Sequence, residues 1–384
     1  MPCDFSNYFA TQTNTLVKDI AAMGRITSPW IGLFKRGKWD DASGDELRRV
    51  IFERSGSTGG SWQAVDQTVN QCAPTRATIA PATTERSASL ERFYIESDPL
   101  CVTNVRSMYK FQAQVEETKS NMADEIRDLW EIKNRDEYRS ALTHHLVATS
   151  AFTPGLTNSS YAATAATSPL TQPMLDQIRW TLLRNNAAEK NAYSKHNGGI
   201  FTVIMSPEQQ QWLFQGNTRI NNDLHYAAPS KLLEPYGAER SYQGWYHVPD
   251  LKAPRYNFEG GAYVEQAFYA DSAATNGTKQ DPSDAYINAD FEEVFVFCPE
   301  VVEQLIPVPM STMGAGTKVD PWDHMGVLKW MNEYDATCNR QKENGWWAGS
   351  LMAAYMPLKP QFGFSIMVKR CPQSLELLTC ADTA

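Results

Sequence analysis

FQAQVEETKSNMADEIRDLWEIKNRDEYRSALTHHL, residues 111–146, contains neither proline nor glycine and is dense in charge. It predicts a helix from Phe111 to about Leu146, about 55 Å long at 1.5 Å per residue. Its apolar positions fall into two sets. Val115, Met122, Ile126 and Leu129 share one face, whereas Tyr138, Leu142 and Leu146 share another, nearly opposite on a 3.6-residue wheel. A single straight stripe docked on a single core is therefore excluded. Either the helix breaks near Lys133-Asn134, or its halves pack against different partners. Pairs such as Glu131–Arg135 and Lys133–Glu137 support its exposed sides modestly.

Upstream, Asp40–Tyr109 is rich in Ser, Thr, Ala and Gln, with strand-like pieces at Glu46–Arg54 and Glu91–Thr103. This layout predicts an extended two-stranded tongue. Gly56, Gly59 and Gly60 mark its turn near Ser61-Trp62, and Pro74, Pro81 and Pro99 keep the return path extended. Two strands without a third layer have nothing to pack on, so the expected partner is another copy of the chain. Residues 1–36 are expected to form an arm, with a short helix at Thr15–Met23 and a break at Ser28-Pro29.

Downstream, a loop over Thr149–Thr171 leads to a helix from Pro173 with Leu175, Ile178 and Leu182 on its apolar face. A strand at Ile200–Met205 follows. Ser206 then caps a short helix, with Pro207 at its first position and Gln209 placed for a capping box. Residues 216–262 are expected to be mostly loop, Ala262–Phe268 a strand, and Asp271–Asp284 unstructured. Glu293–Cys298 is apolar on both faces, as in a strand covered on both sides. Gly326–Tyr334 and Trp346–Tyr355 are expected to flank a turn at Asn344-Gly345. Phe362–Lys369 is the last strand. The predicted class is α+β.

The chain has 384 residues, 42% hydrophobic and 21% charged, which suits a folded protein of more than one domain. Its formal charge is −9, and its longest basic run is Lys35-Arg36-Gly37-Lys38. That argues against coating nucleic acid, which needs clustered Lys and Arg. The seven cysteines are odd in number, and none forms a C-x-x-C pair, so buried thiols in a reducing compartment are expected. The N-terminus lacks a signal-peptide pattern, and no apolar run approaches the roughly 20 residues that cross a bilayer. The expected site of folding is cytoplasm. Trp, Tyr and Arg are enriched at the centres of subunit contacts. Trp39, Arg54, Trp62 and Arg92, in or beside the tongue, are the predicted intersubunit residues.

Catalytic candidates are weak. His144-His145 would point about 100° apart on a helix, too divergent for one metal. Asp320, Asp323 and His324 lie close together without a placeable nucleophile, and a polar turn explains them. Asp290, Glu292 and Glu293 could form a carboxylate pair, but hydrolysis needs a defined separation across a cleft. The acidic start of a strand explains them better. Gly314-Ala315-Gly316 lacks the third glycine and the context of a dinucleotide loop. No enzyme, cofactor or metal is predicted.

The order of parts resembles the major capsid protein of tailed bacteriophages, the HK97-like fold. The residues that carry the resemblance are Val50-Ile51-Phe52-Glu53-Arg54, the Leu90–Val105 return, and Gly345-Trp346-Trp347 through Met356-Pro357-Leu358. It implies an N-terminal arm (1–36), an extended β-hairpin E-loop (37–110) and a P-domain with its spine helix (111–172). A central A-domain (173–263) and a β-rich return (264–384) complete it. It also implies hexamers and pentamers in an icosahedral shell around double-stranded DNA, with portal, scaffolding or decoration proteins as possible partners. The expected location is the virion, assembled in host cytoplasm, without membrane or sequence-specific DNA binding. Some members of that family join a tongue Lys to a neighbour's Asn, but no Lys occurs here between Lys38 and Lys110. A non-covalent shell is expected, from a chain that starts at Met1 or Pro2 without a cleaved extension. The alternatives are an encapsulin-type compartment shell and a carboxylate-dependent, virion-associated hydrolase.

Overall fold

One long helix lies across two sheets. The computed structural model describes residues 29–39, 46–53, 82–97, 100–101, 108–149, 154–157, 164–184, 201–215, 240–242, 245–268, 283–307, 328–331 and 344–370. A short helix, Pro29–Leu33, precedes β1 (Lys35–Trp39), β2 (Glu46–Glu53), β3 (Ala82–Ser89), β4 (Glu91–Glu96) and β5 (Leu100–Cys101). The long helix spans Met108–Ala141. After it come β6 (His144–Ala148), β7 (Pro154–Thr157), a helix at Gln172–Arg184, β8 (Phe201–Met205) and a helix at Pro207–Gln215. Then follow β9 (Arg240–Tyr242), β10 (Trp245–Pro249), β11 (Arg255–Glu259) and β12 (Ala262–Gln266). A one-turn helix at Asp284–Ile287 leads to β13 (Phe291–Phe297), β14 (Val302–Pro307), β15 (Leu328–Met331), β16 (Asn344–Pro357) and β17 (Phe364–Lys369).

The nine-stranded sheet runs β7–β6–β17–β13–β8–β10–β9, with the β11–β12 hairpin also attached to β13. The six-stranded sheet runs β1–β14–β16–β15, with β4 and β5 also on β16. Strands β13 and β14 are consecutive yet belong to different sheets, so the chain passes between the sheets at Cys298–Val301. Every residue of β13 is buried: the Val294–Phe297 run as its apolar faces predict, and Glu292 and Glu293 as well, although sequence marked them only as an acidic start. The short helix at Pro29–Leu33 also belongs to the core, because Trp30, Ile31, Leu33 and Phe34 are all buried. This part of the expected arm, residues 29–34, therefore packs in the core, and residues 1–28 lie outside the described residues.

The long helix resolves the puzzle of its two apolar faces without breaking. Met122, Ile126, Trp130, Asn134, Tyr138 and Leu142 are all buried. Steps of four residues advance about 40° around a 3.6-residue helix, so this stripe winds through about 200° along the helix. The first half faces the six-stranded sheet. Lys119 lies over the Trp347 ring at 5.6 Å, and Trp130 clusters with Ile31, Ile306 and Leu351. The second half faces the nine-stranded sheet. The Tyr138 hydroxyl donates to the Val296 carbonyl at 2.9 Å and accepts from the Cys298 N–H at 3.1 Å, and its ring stacks on Phe297.

Asn134 sits where the stripe changes sheets. Its amide nitrogen donates to the Trp30 carbonyl, and its oxygen accepts from Gln304 Nε2 at 3.2 Å and from the Tyr355 hydroxyl at 2.6 Å. The helix ends at Ala141, and His144–Ala148 forms a strand parallel to β17. The spacing of Tyr138, Leu142 and Leu146 fits a helix, but buried Leu146 serves equally as an inward strand position. The close approach of Gly363 marks this end: a Cβ there would collide with Tyr138 and Leu142.

Other departures are local. Asn344-Gly345 lies inside β16, paired with Cys101 and Leu100, so the β15–β16 turn falls elsewhere. Residues 245–249 and 255–259 are strands within the stretch expected to be loop. Ser283 caps a helical turn at the end of the stretch expected to be unstructured, and residues 271–282 lie outside the described residues.

Asn134→Ala strips three buried polar groups of a partner. It is expected to lower the unfolding free energy by about 2–3 kcal/mol. Urea unfolding with an unchanged denaturant slope would show this, and a change below about 0.5 kcal/mol would refute the assignment.

Candidate functional site

The feature with the least internal packing is the ribbon of β2 and β3. These strands pair antiparallel from Glu46↔Ser89 to Glu53↔Ala82, and form a sheet with no third strand among the described residues. Only the root is buried. Leu47 and Ala88 join Trp39, Leu305, Ala354 and Met356 in one apolar cluster. Farther out, Arg48, Thr83, Glu85 and Ser87 are exposed, and Val50 is 57% exposed. A two-stranded ribbon with so little of its described surface buried is marginal on its own.

The return strand differs from the expected one. Ala82–Ser89, not Glu91–Thr103, pairs with β2, and β4 pairs instead with β16 from Ala353↔Glu91 to Ala348↔Glu96. The extended chain changes partner at Leu90, which packs on the root cluster. Arg92-Phe93-Tyr94-Ile95 carries the stronger strand signal, whereas ATTERSAS, with one buried Ala, carries almost none. Pairing there follows from proximity to β2, a tertiary effect.

The predicted contact residues divide. Trp39 is 4% exposed inside the root cluster, so its ring is used within its own chain. This corrects the expectation that it lacks local core: Leu47, Leu305 and Met356 supply that core. Arg92 is exposed on β4, its guanidinium 5.6 Å from the Tyr94 ring centre. Beside it Tyr94 is 51% and Phe93 36% exposed. Arg54 and Trp62 lie outside the described residues.

The catalytic candidates do not assemble into a site. His144 and His145 lie on a strand rather than a helix, so they point to opposite faces, and His144 stacks on Phe364 at 5.0 Å. Glu292 and Glu293 also alternate across β13, and both are fully buried. Glu292 accepts from the Ser206 N–H at 2.8 Å and the Ser206 hydroxyl at 2.6 Å. It thereby takes the role expected of Gln209 in the capping box, while Ser206 Oγ accepts from the Gln209 N–H at 3.1 Å. Burial raises the Glu292 pKa, opposed by the Ser206 hydrogen bonds and by Arg255 and Arg370. Glu293 accepts from the Tyr256 hydroxyl at 2.8 Å and the Ser365 hydroxyl at 2.6 Å, and pairs with Arg139 at 2.5 Å. Asp290 is exposed at the strand's start. Two carboxylates on opposite faces of one strand cannot flank one glycosidic bond. Asp320, Asp323, His324 and Gly314–Gly316 lie outside the described residues. Among the described residues no cluster of His, Cys, Asp and Glu could hold a metal, and no helix is long and apolar enough to cross a membrane.

The Arg139–Glu293 pair is structural in effect. Arg135 and Arg139 both reach Glu265 of β12, so the second half of the long helix is tied by charge to the β11–β12 hairpin and β13. Sequence inspection missed this network, since its members are far apart in the chain and only their pairing makes them notable.

No protein-family model matches the chain, and no curated protein is significantly similar to it. Among solved structures it is similar to the capsid of Ralstonia phage GP4, at 11% identity over 91% of this chain and 93% of that one, with a TM-score of 0.49. It is also similar to the head of Helicobacter pylori bacteriophage KHP40, at 11% identity, 90% and 92% coverage and a TM-score of 0.45. A third is the capsid of Cyanophage P-SCSP1u, at 13% identity, 90% and 89% coverage and a TM-score of 0.44.

Glu293→Gln leaves Arg139 beside a neutral amide and is expected to cost about 3 kcal/mol in thermal or urea unfolding. His247, on β10, gives a pH signature. Burial holds its pKa down, from 6.5 to about 4. The unfolded chain therefore takes up this proton first as the solution is acidified. The stability carried by neutral His247 is full above pH 6.5, drains between 6.5 and about 4, and levels off below. Subtracting the pH–stability curve of His247→Leu from that of the parent should isolate this slope. A flat difference curve would contradict it.

Proposed function

We propose that the chain is a major capsid protein, the head subunit of a tailed bacteriophage, which self-assembles through non-covalent contacts. One observation carries this reading. A two-stranded ribbon extends from the six-stranded sheet, and among its described side chains only Leu47 and Ala88 are buried. Such a ribbon is marginal alone and gains its packing from another copy. The long helix supports it by fixing both sheets as one rigid base, which a repeated contact needs. The order of tongue, spine helix and mixed sheets is that of the HK97-like fold, in which the ribbon is the E-loop. Hexamers and pentamers closing around double-stranded DNA are the assembly this order implies. Weak contacts suffice in such a shell because many act together.

The acidic balance of the chain suits a wall that holds DNA without gripping it, since phosphate contacts need basic clusters. A compartment shell of encapsulin type shares this architecture and is the second reading. Double-stranded DNA extracted from particles made in the native host would support the first, and a protein cargo without genome-length DNA would support the second. The hydrolase reading loses its proposed dyad to the opposed directions of Glu292 and Glu293.

Glu53 and Ala82 pair directly, so residues 54–81 can be replaced by an Asn-Gly turn without disturbing the base of the ribbon. The variant is expected to keep the parent's melting temperature and to sediment as subunits or capsomers, where the parent sediments as closed shells. Shells from the shortened variant would overturn the role given to the ribbon. Denaturing electrophoresis of parent particles should show single subunits. Ladders that survive reduction would contradict non-covalent closure.

A further inference from the structure

One carboxylate sits at the root of the ribbon. Glu303, on β14, is 5% exposed, and Arg49 of β2 places Nη1 2.7 Å from its Oε2. Lys35 of β1 places Nζ 3.6 Å from its Oε1. Gly37 makes room for this arrangement. A Cβ at that position would lie 2.7 Å from Glu303 Oε1 and would collide with Leu305. The ribbon, in turn, carries an internal conflict. Arg49 and Arg86 stand directly opposite across the two strands, and like charges so placed disfavour the pairing. Arg86 Nε has no hydrogen-bond partner among the described residues, whereas Arg49 has the Glu303 carboxylate.

We propose that Glu303 is a latch. It holds the ribbon against the six-stranded sheet, and the ribbon swings away as a unit about the Leu47–Ala88 contact when the Arg49–Glu303 pair is broken. The ribbon can move as a unit because its eight-residue strands pair only with each other among the described residues. Among the described side chains of the ribbon, only Leu47 and Ala88 belong to the apolar cluster, so little of that packing opposes the movement. Once released, the facing Arg49 and Arg86 form a dibasic spot, and its matching group is a carboxylate of a second copy. A subunit could thus exchange its own Glu303 for a neighbour's acid and adjust the ribbon's angle to its place in a curved assembly. This deepens the reading of the ribbon as a clasp. Testing it on the unassembled subunit lets it fail while that reading stands.

The test uses spin labels at exposed Ser87 on the ribbon and exposed Ile132 on the long helix, introduced as non-canonical residues in the full chain. Pulsed dipolar measurements are made on the monomer fraction. The parent should give one narrow distance peak. Glu303→Gln and Arg49→Gln should each lose that narrow peak to a broad distribution, while hydrogen exchange still finds the β2–β3 amides protected. The charge swap Arg49→Glu with Glu303→Lys should restore the narrow peak. Arg49 is on the surface side of the pair, so its variant stays informative if Glu303→Gln does not fold. Retention of the parent's narrow peak in Arg49→Gln, or broadening that comes with lost amide protection, would overturn the latch.

Discussion

The long helix must satisfy two sheets at once, and that requirement organises the rest of the molecule. Its buried positions step by four residues from Met122 to Leu142, so the apolar stripe turns from the six-stranded sheet to the nine-stranded sheet. Asn134 occupies the turning point because a polar group there can bond to three elements. It reaches the helix at Trp30, β14 at Gln304 and β16 at Tyr355. An apolar residue at that point would fill space but cost each of those groups a partner, leaving Gln304 and Tyr355 their bond to each other. Farther along, Arg135 and Arg139 fix the helix to β12 and β13 by charge. Ion pairs join packing in both halves: before Asn134, Asp128 pairs with Lys252 and Lys133 with Glu91 of β4.

A rigid base of this kind gives meaning to the ribbon that projects from it. Were the sheets loosely joined, a thin ribbon would point nowhere in particular. Here β1, β14 and β16 form a continuous platform under its root, and Trp39, Leu305 and Met356 provide the apolar seat. Beyond Leu47 and Ala88, none of the described side chains of the ribbon is fully buried. Its exposed Val50 and alternating charged side chains therefore make sense as surface for another copy.

Parts of this were legible in the sequence, for physical reasons. The Val294–Phe297 run of β13 fits a strand covered on both faces, whereas the burial of Glu292 and Glu293 just before it did not show in the sequence. Ser206-Pro207 announces a helix start by cap chemistry alone. The two faces of the long helix were visible, but Trp130 and Asn134, which join them into one winding stripe, were not: a Trp and an Asn do not declare which side they take. The return strand Ala82–Ser89 was illegible because its signal is pairing with β2, not hydrophobicity. His144–Ala148 was misassigned because Leu146 satisfies both the helical and the strand period. Trp39 reads as a contact residue in the sequence because Leu305, Ala354 and Met356, which with Leu47 bury it, lie more than 250 residues away in the chain.

Electron cryo-microscopy of the purified full-length protein tests the central claim most directly. The account predicts closed shells in which the β2–β3 ribbon of each subunit lies against another subunit, with Val50 covered and the long helix unbroken through Asn134. Particles that remain monomeric under assembly conditions, or shells in which the ribbon folds back on its own subunit, would contradict it.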